Sequence, residues 1–399
     1  MEVASFVRNT NSSQVVGIAA AMLIGTSAFM MTGIQPVVLG SLISAGRLDG
    51  ASLGVVATAE VLTLSLGSMA GPIIFQGGGM RSKACLAAVL LTVFDILTCS
   101  AATTIPMIVF RALSGLMEGV MLGATLYLIA QTDRPERLSA LFLAIAAIPQ
   151  IVAAYYLPVW LVPRFGANAG LLVLVATAVL AIPAALALPS RGKSASDIAG
   201  TGLTDDQGRG LAGVWSLVAI AAIVVENVAI GAAWSYLERI GAQHHFSPNT
   251  IGLGISGTLA FQMVGAFGVA WAGWRIDYRL ALIVGCVLLA ADTLILAWLY
   301  TPVLYVAMSC VFGLLWLALA PFQVRLAVEL DPSRRLAMII MPLALIGLSL
   351  GPLVASPFVS GENIAPVYSF SAFAAMIAAA LFVFAIFAPR PVSTSIHPQ

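Results

Sequence analysis

A chain of 399 residues with 60% hydrophobic and only 9% charged residues cannot cover itself with a soluble surface, because soluble domains carry about 25% charged residues. Its 18 Lys and Arg against 17 Asp and Glu leave a net charge of +1, which gives no electrostatic footprint for nucleic acid. A mean hydropathy of +1.03 points to a polytopic membrane protein whose solvent is the bilayer.

Twelve apolar runs follow one another at 15–43, 52–75, 84–103, 106–130, 138–161, 168–188, 213–237, 249–273, 280–300, 302–327, 336–359 and 366–388. Each is close to the roughly 20 residues a helix needs to cross about 30 Å of hydrocarbon. The first run is too long for a cleavable signal and lacks a small-residue cleavage site, so it is expected to stay as a helix, with Gly33 and Pro36 breaking or tilting its outer end. The second carries Glu60, the third Asp95, and the fourth Arg111 and Glu118. The fifth holds Pro149, Gln150, Tyr155, Tyr156, Pro158 and Trp160, where kinks are expected.

Residues 189–212 are polar, Gly/Ser-rich and aperiodic, and read as a cytoplasmic linker between a first bundle, 1–188, and a second, 213–399. Glu226 is central in the seventh run, which ends at Glu238-Arg239; Asp292 is central in the ninth; Trp316 and Gln323 lie in the tenth. The eleventh contains Gly347-Leu-Ser-Leu-Gly351-Pro352, and the tail after Pro389 reads as short and disordered. All four cysteines fall inside spans, as packing residues. His244 and His245 are adjacent in one loop and His397 is in the tail, so no nucleophile–base set, metal cluster or cofactor site is implied.

An internal duplication is written into the charged turns. Asp133-Arg-Pro-Glu-Arg137-Leu138 and Asp331-Pro-Ser-Arg-Arg335-Leu336 repeat Asp, Arg and Leu at an offset of 198, close to half the chain. With the N-terminus in the cytoplasm, fourteen of the 18 basic residues fall on that side, leaving Arg47, Arg164 and Arg239 outside and Arg111 within a span. This bias fits an even number of helices in the inner (cytoplasmic) membrane with both termini cytoplasmic.

Arg111-x3-Gly115-x3-Gly119 resembles the fourth-helix arginine–glycine motif of the major facilitator superfamily of secondary transporters, and the two charged turns resemble its cytoplasmic charge clusters. Gly347-x3-Gly351-Pro352 is similar to the glycine–proline motif of its antiporters, although it falls in the eleventh run and not the fifth. Between the second and third runs the place of the superfamily's aspartate is taken by Phe75. The resemblance implies an all-α fold of twelve helices in two pseudo-symmetric six-helix bundles, with helices 1, 4, 7 and 10 lining a central cavity. Helices 2, 5, 8 and 11 would form the seams and gates.

Six ionisable groups deep in the spans each cost about 2.5–3.5 kcal/mol on insertion scales unless neutralised or paired. Asp95 and Arg111 lie at similar depths across a short turn and are expected either to form an ion pair or, for Arg111, to gate protons. Asp292 is the repeat mate of Asp95 but faces Ala307 or Met308; it is expected either to hold a proton or to hydrogen-bond a hydroxyl such as Ser309. With Asp133, Arg137, Asp331 and Arg335 it is read as structural. Glu118 and Glu226 are expected to face the cavity and, with Glu60 and Arg111, to couple protons to transport. Tyr155, Gln150, Trp234, Trp316 and Gln323 are the expected cavity residues. Five carboxylates against one arginine disfavour an anionic substrate. The expected function is proton-coupled export of a small neutral or cationic, largely apolar compound, with proton-coupled uptake of a nutrient, or a non-transporting receptor or scaffold, as alternatives. The expected partners are the small-molecule substrate, protons and the lipid bilayer, with the chain acting as a monomer.

Overall fold

The computed structural model describes residues 12–76, 78–132, 135–189, 214–298, 301–331, 335–361 and 363–387. Among them are twelve helices long and apolar enough to cross a membrane. The first six are α1 (Ser12–Ser44), α2 (Gly50–Phe75), α3 (Met80–Ser100), α4 (Thr104–Ala130), α5 (Pro135–Tyr156, prolonged to Phe165 through a π turn at Leu157–Leu161) and α6 (Ala169–Leu186). The second six are α7 (Val214–Ser235), α8 (Pro248–Ala272), α9 (Tyr278–Ala297), α10 (Pro302–Leu330), α11 (Arg335–Ala355) and α12 (Ala365–Phe387). A short helix, Leu237–Gln243, follows α7. The side on which α1 begins is here the near face, and the side on which it ends the far face.

The expected break in α1 is absent, and the helix runs through Gly33 and Pro36. Proline has no N–H to give to the carbonyl four residues back, so the Thr32 carbonyl loses its helical donor. The indole N–H of Trp234 on α7 donates to that carbonyl at 3.0 Å, so the proline costs the helix one bond and gives the second bundle a docking point.

Helices α1–α6 and α7–α12 form two six-helix bundles that repeat at the offset of 198 in their packing as well as in their sequence. Gly33 of α1 faces Gln150 of α5, and Gly231 of α7 faces the backbone of Leu348 in α11. Gly67 meets the carbonyl of Leu116 across α2–α4, while Gly265 meets that of Leu314 across α8–α10. At Gly67, Gly231 and Gly265 the small residue brings backbone against backbone, while at Gly33 it makes room for the Gln150 side chain; a Cβ would block each.

The apolar core has two forms along the membrane normal. In the far half one continuous core joins both bundles, combining Met30, Leu42 and Leu53 with Ile230, Ile255 and Tyr368. Toward the near face it divides. Ile24, Leu64 and Phe142 pack within the first bundle, and Ile223, Leu282 and Phe382 within the second. The bundles are therefore joined at the far face and part toward the near face, with α2 against α11 and α5 against α8 as the seams. Of the expected linker 189–212, all but Pro189 lies outside the described residues, as do Asp133, the tail after Pro389 and the side chain of Arg335. Asp331 caps the turn into α11, its carboxylate accepting the Leu336 N–H at 2.9 Å, and Arg137 is exposed.

Candidate functional site

The glycine stripe of α4 is what creates the first charged centre. A Cβ on Gly115 would collide with the backbone oxygen of Glu60, and one on Gly119 with that of Leu64, so α2 lies directly on α4. Glu60 is thereby pressed against Arg111, whose Nη2 pairs with its carboxylate. Arg111 Nη1 lies 2.6 Å from Asp95 Oδ1, and Nη2 lies 3.5 Å from Glu118 Oε1. The Ser114 hydroxyl donates to Asp95 at 2.9 Å. All four charged groups are 1% exposed. Glu118, expected to face the cavity, instead turns back along its own helix toward Arg111, because seven residues is two turns and the guanidinium is the available counter-charge. Three carboxyls on one guanidinium leave two formal negative charges in surplus, and Glu60 Oε2, Glu118 Oε2 and Arg111 Nε have no hydrogen-bond partner among the described residues.

The second bundle has an anion one position out of register, Asp292 beside the Thr293 that matches Asp95, and loses the cation. At the offset of 198, Arg111 is replaced by Ser309, Glu60 by Thr258 and Glu118 by Trp316. Asp292 is 3% exposed, and neither of its oxygens has a hydrogen-bond partner among the described residues. The expected bond to the Ser309 hydroxyl is not made, and that hydroxyl too is unpartnered. Glu226 is also sealed, at 0% exposure, and does not face open space. Its Oε2 accepts from the Gln323 amide at 2.6 Å across α7–α10, while Oε1 has no partner.

Above Glu226, toward the far face, aromatic residues of α7 and α10 pack on one another. Trp234 and Trp316 meet edge to face with centroids 5.6 Å apart, and Phe312 lies 6.0 Å from Trp316. Gln150 donates to the Phe29 carbonyl at 2.6 Å, fixing α5 on α1. Of the five expected cavity residues, Trp234, Trp316 and Gln323 lie on the inner helices α7 and α10, and Gln150 on the seam helix α5. Tyr155 stands apart at the α5–α8 seam, donating to Asn249 Oδ1 at 2.8 Å.

The far closure is a zipper of polar contacts that sequence reasoning missed. After Trp234, the Ser235 hydroxyl donates to Gln35 at 3.1 Å, the Tyr236 hydroxyl to the Gly50 carbonyl at 2.8 Å, and Arg239 to the Ser44 hydroxyl at 3.2 Å. Glu238 packs its carboxylate onto Gly40 of α1, where any side chain would collide with it. On the α2–α11 seam the Thr58 hydroxyl donates to the Ser349 carbonyl at 2.6 Å. Burial pushes the Glu238 carboxyl up to about 7, with Arg239 at 3.9 Å opposing the shift. The signal in the sequence was Pro36, since its i−4 carbonyl requires a donor from elsewhere. Among the described residues no group of three or more His, Cys, Asp or Glu is placed to hold a metal ion.

No protein-family model matches the chain, and no curated protein matches it in sequence. Among solved structures, it is similar to the nucleoside transporter NupG at 14% identity, with a TM-score of 0.75, covering 95% of this chain and 100% of that one. It is similar as well to a bacterial homolog of the human lysosomal transporter Spinster in an inward-facing, unoccupied conformation, at 14% identity and a TM-score of 0.71, covering 94% and 96%. The same homolog in its occupied inward-facing form gives a TM-score of 0.72 at 14% identity, covering 95% and 98%. The fold is thus the twelve-helix, two-bundle fold that the sequence resemblance implied.

Proposed function

We propose that the chain is a secondary transporter that moves a small, neutral or cationic, largely apolar organic compound across the cytoplasmic membrane by alternating access, coupled to protons and running as export. The observation that carries this reading is the divided core. A cleft sealed by polar contacts on one side and parted on the other has an inverse state, reached when two similar bundles rock about their seams. In the orientation that the basic residues favour, the parted side faces the cytoplasm.

Substrate class is argued from what the inner helices present. Trp316, half-buried against Trp234 and Phe312, offers an aromatic face suited to stacking or cation–π contact, and Gln323 of the same helix an amide. The one arginine of the inner helices' depth is committed to three carboxyls, so an anion would find no counter-charge there. Protons are the natural balance for the surplus negative charge, and a carboxyl whose hydration changes as the bundles rock exchanges its proton with one side or the other. Export is supported by the antiporter-like Gly347–Pro352 stretch, whose Gly347 and Gly351 lie on the backbone of α7. A second reading, proton-coupled uptake of a nutrient with a heteroaromatic ring, is favoured by the likeness to a nucleoside transporter.

The test is proton flux in reconstituted vesicles containing a pH-sensitive dye, with lipophilic cations and nucleosides as the two substrate panels. Substrate-dependent flux is expected, reduced about tenfold or more in Glu226→Gln and Glu118→Gln. Its sign separates export from uptake. Absence of flux with both panels, or flux unchanged in both variants, would remove the coupling.

A further inference from the structure

In the far half of the first bundle, α1, α5 and α6 enclose a cavity of about 500 Å3 lined by Met30, Pro149, Val152, Tyr156, Trp160 and Val173. Its floor, Met30, is 2% exposed, whereas its walls Val152, Tyr156 and Trp160 are 51%, 51% and 48% exposed, so it is a groove that opens sideways from the bundle. The sequence makes this groove twice over. Pro149 sits inside α5, and the π turn Leu157–Leu161 contains Pro158, two departures from regular winding that draw α5 away from its neighbour. The lining is apolar apart from the polar tips of Tyr156 and Trp160 and from Thr177, whose hydroxyl is spent on the Leu174 carbonyl at 2.9 Å. From Pro149 to Trp160 the groove runs for eleven residues of helix, about 17 Å. That is close to the roughly 15 Å of hydrocarbon in one leaflet.

A cation marks the end of the groove at the far face. The Arg164 guanidinium lies 4.0 Å over the indole of Trp160 and donates one N–H to the Trp160 carbonyl at 3.3 Å. It is in no ion pair with a carboxylate among the described residues. Stacking fixes the plane of the guanidinium and leaves its other N–H edges free, and a planar fork of that kind matches phosphate oxygens. An indole and a guanidinium at the end of a spanning helix stand at headgroup depth.

We propose that this groove is a binding site for one anionic phospholipid of the far leaflet, with an acyl chain along α5 and its phosphate on Arg164. Apolar lining alone would accept any lipid; the fixed, uncompensated guanidinium at the mouth is what selects an anionic headgroup. The site also touches the moving parts. Tyr156, in its wall, meets Tyr155 edge to face at 5.2 Å, and Tyr155 bonds Asn249 of α8 across the seam, so a bound lipid braces α5 where the bundles close.

The experiment is native mass spectrometry of the full chain released from mixed micelles holding equal amounts of phosphatidylglycerol and phosphatidylcholine. Wild type is expected to retain phosphatidylglycerol at least fivefold over phosphatidylcholine. Arg164→Gln, an exposed change outside the core, is expected to bring the two to parity with an unchanged thermal midpoint. Val152→Trp, which fills the groove from an exposed wall, is expected to lose both lipids. Equal retention in wild type, a preference that survives Arg164→Gln, or normal retention by folded Val152→Trp each overturns the site. Loss of transport in Val152→Trp with lipid retention intact would assign the groove to a lipophilic substrate instead, and overturns it too.

Discussion

Glu238 makes the far closure depend on pH. Its carboxylate is buried on Gly40 between the bundles, 12% exposed, and its Oε2 has no hydrogen-bond partner among the described residues. The elements around it offer little to offset a charge. α1 has no titratable side chain from Ser12 to Ser44, and α8 has none from Pro248 to Ala272. The nearby groups are Arg239, and Tyr305 of α10, whose hydroxyl donates to the Leu237 carbonyl. The carboxyl is raised from 4.5 to about 7 in the closed far face, and opening returns it to water. Closure therefore binds a proton more tightly than opening does. Its extra stability is fully present below about 4.5 and is lost as pH rises through about 7. A carboxyl moved from 4.5 to about 7 corresponds to about 3 kcal/mol at most, a tenfold change in the closed-to-open ratio per pH unit across that window.

The assay is far-side labelling of Ser235→Cys, a 2% exposed position inside the zipper, with a membrane-impermeant maleimide, in wild-type and Glu238→Gln backgrounds. The amide is neutral at every pH, so the ratio of the two rates removes the reagent's own pH dependence. Wild-type labelling relative to Glu238→Gln should climb between about pH 5 and 7 and then level off. Parallel profiles, or a ratio that falls with rising pH, would refute the reasoning.

Arg111→Gln should destabilise the chain by about 3–5 kcal/mol, because it strands three buried carboxyls. Thermal unfolding in detergent should show it worse than Asp95→Asn, Glu60→Gln or Glu118→Gln, and adding those changes to Arg111→Gln should restore stability; simple additivity would contradict a shared centre. Gly115→Leu and Gly313→Leu, each of which drives a side chain into the backbone of the facing helix, should both abolish folded protein in size-exclusion chromatography. Trp234→Phe keeps an aromatic ring but removes the donor to Thr32, leaving a half-buried carbonyl unpaired at about 1 kcal/mol, and should raise far-side labelling of Ser235→Cys roughly fivefold.

The helices were legible because oil imposes length and hydropathy on each span, and the duplication was legible because the charged turns kept Asp and Arg at one offset. The pairing of Asp95 with Arg111 followed from depth alone, since a short turn fixes both. What depth does not give is azimuth. Glu118 was read as facing the cavity and Glu60 as a proton-coupling group of its own, yet both turn to Arg111, because the glycine stripe rotates α4 so that its charged and its small residues share the α2 face. Glu226 was placed at the right depth, but the amide that engages it, Gln323, lies 97 residues away, beyond the reach of helical periodicity. The zipper was hidden for a different reason. Two of its donors end on backbone carbonyls, at Thr32 and Gly50, and a carbonyl carries no mark in the sequence unless a proline frees it; the other two, on Gln35 and Ser44, join residues about 200 apart.

The two bundles share a backbone and divide the chemistry. Where the first has Arg111, Glu60 and Glu118, the second has Ser309, Thr258 and Trp316; where the second has Glu226 and Trp234, the first has Ala28 and Pro36. Gln150 faces Gly33 in one, and Leu348 takes its place against Gly231 in the other. The glycine positions are preserved while the side chains exchange charge for aromatic surface, so packing constrains the glycines and leaves the facing positions free to differ. Pro36 and Trp234 show how far this has gone. They are mates in the repeat, and they now serve each other, one exposing the Thr32 carbonyl and the other supplying its donor, so that the contact closing the far face exists only because the halves have ceased to be identical.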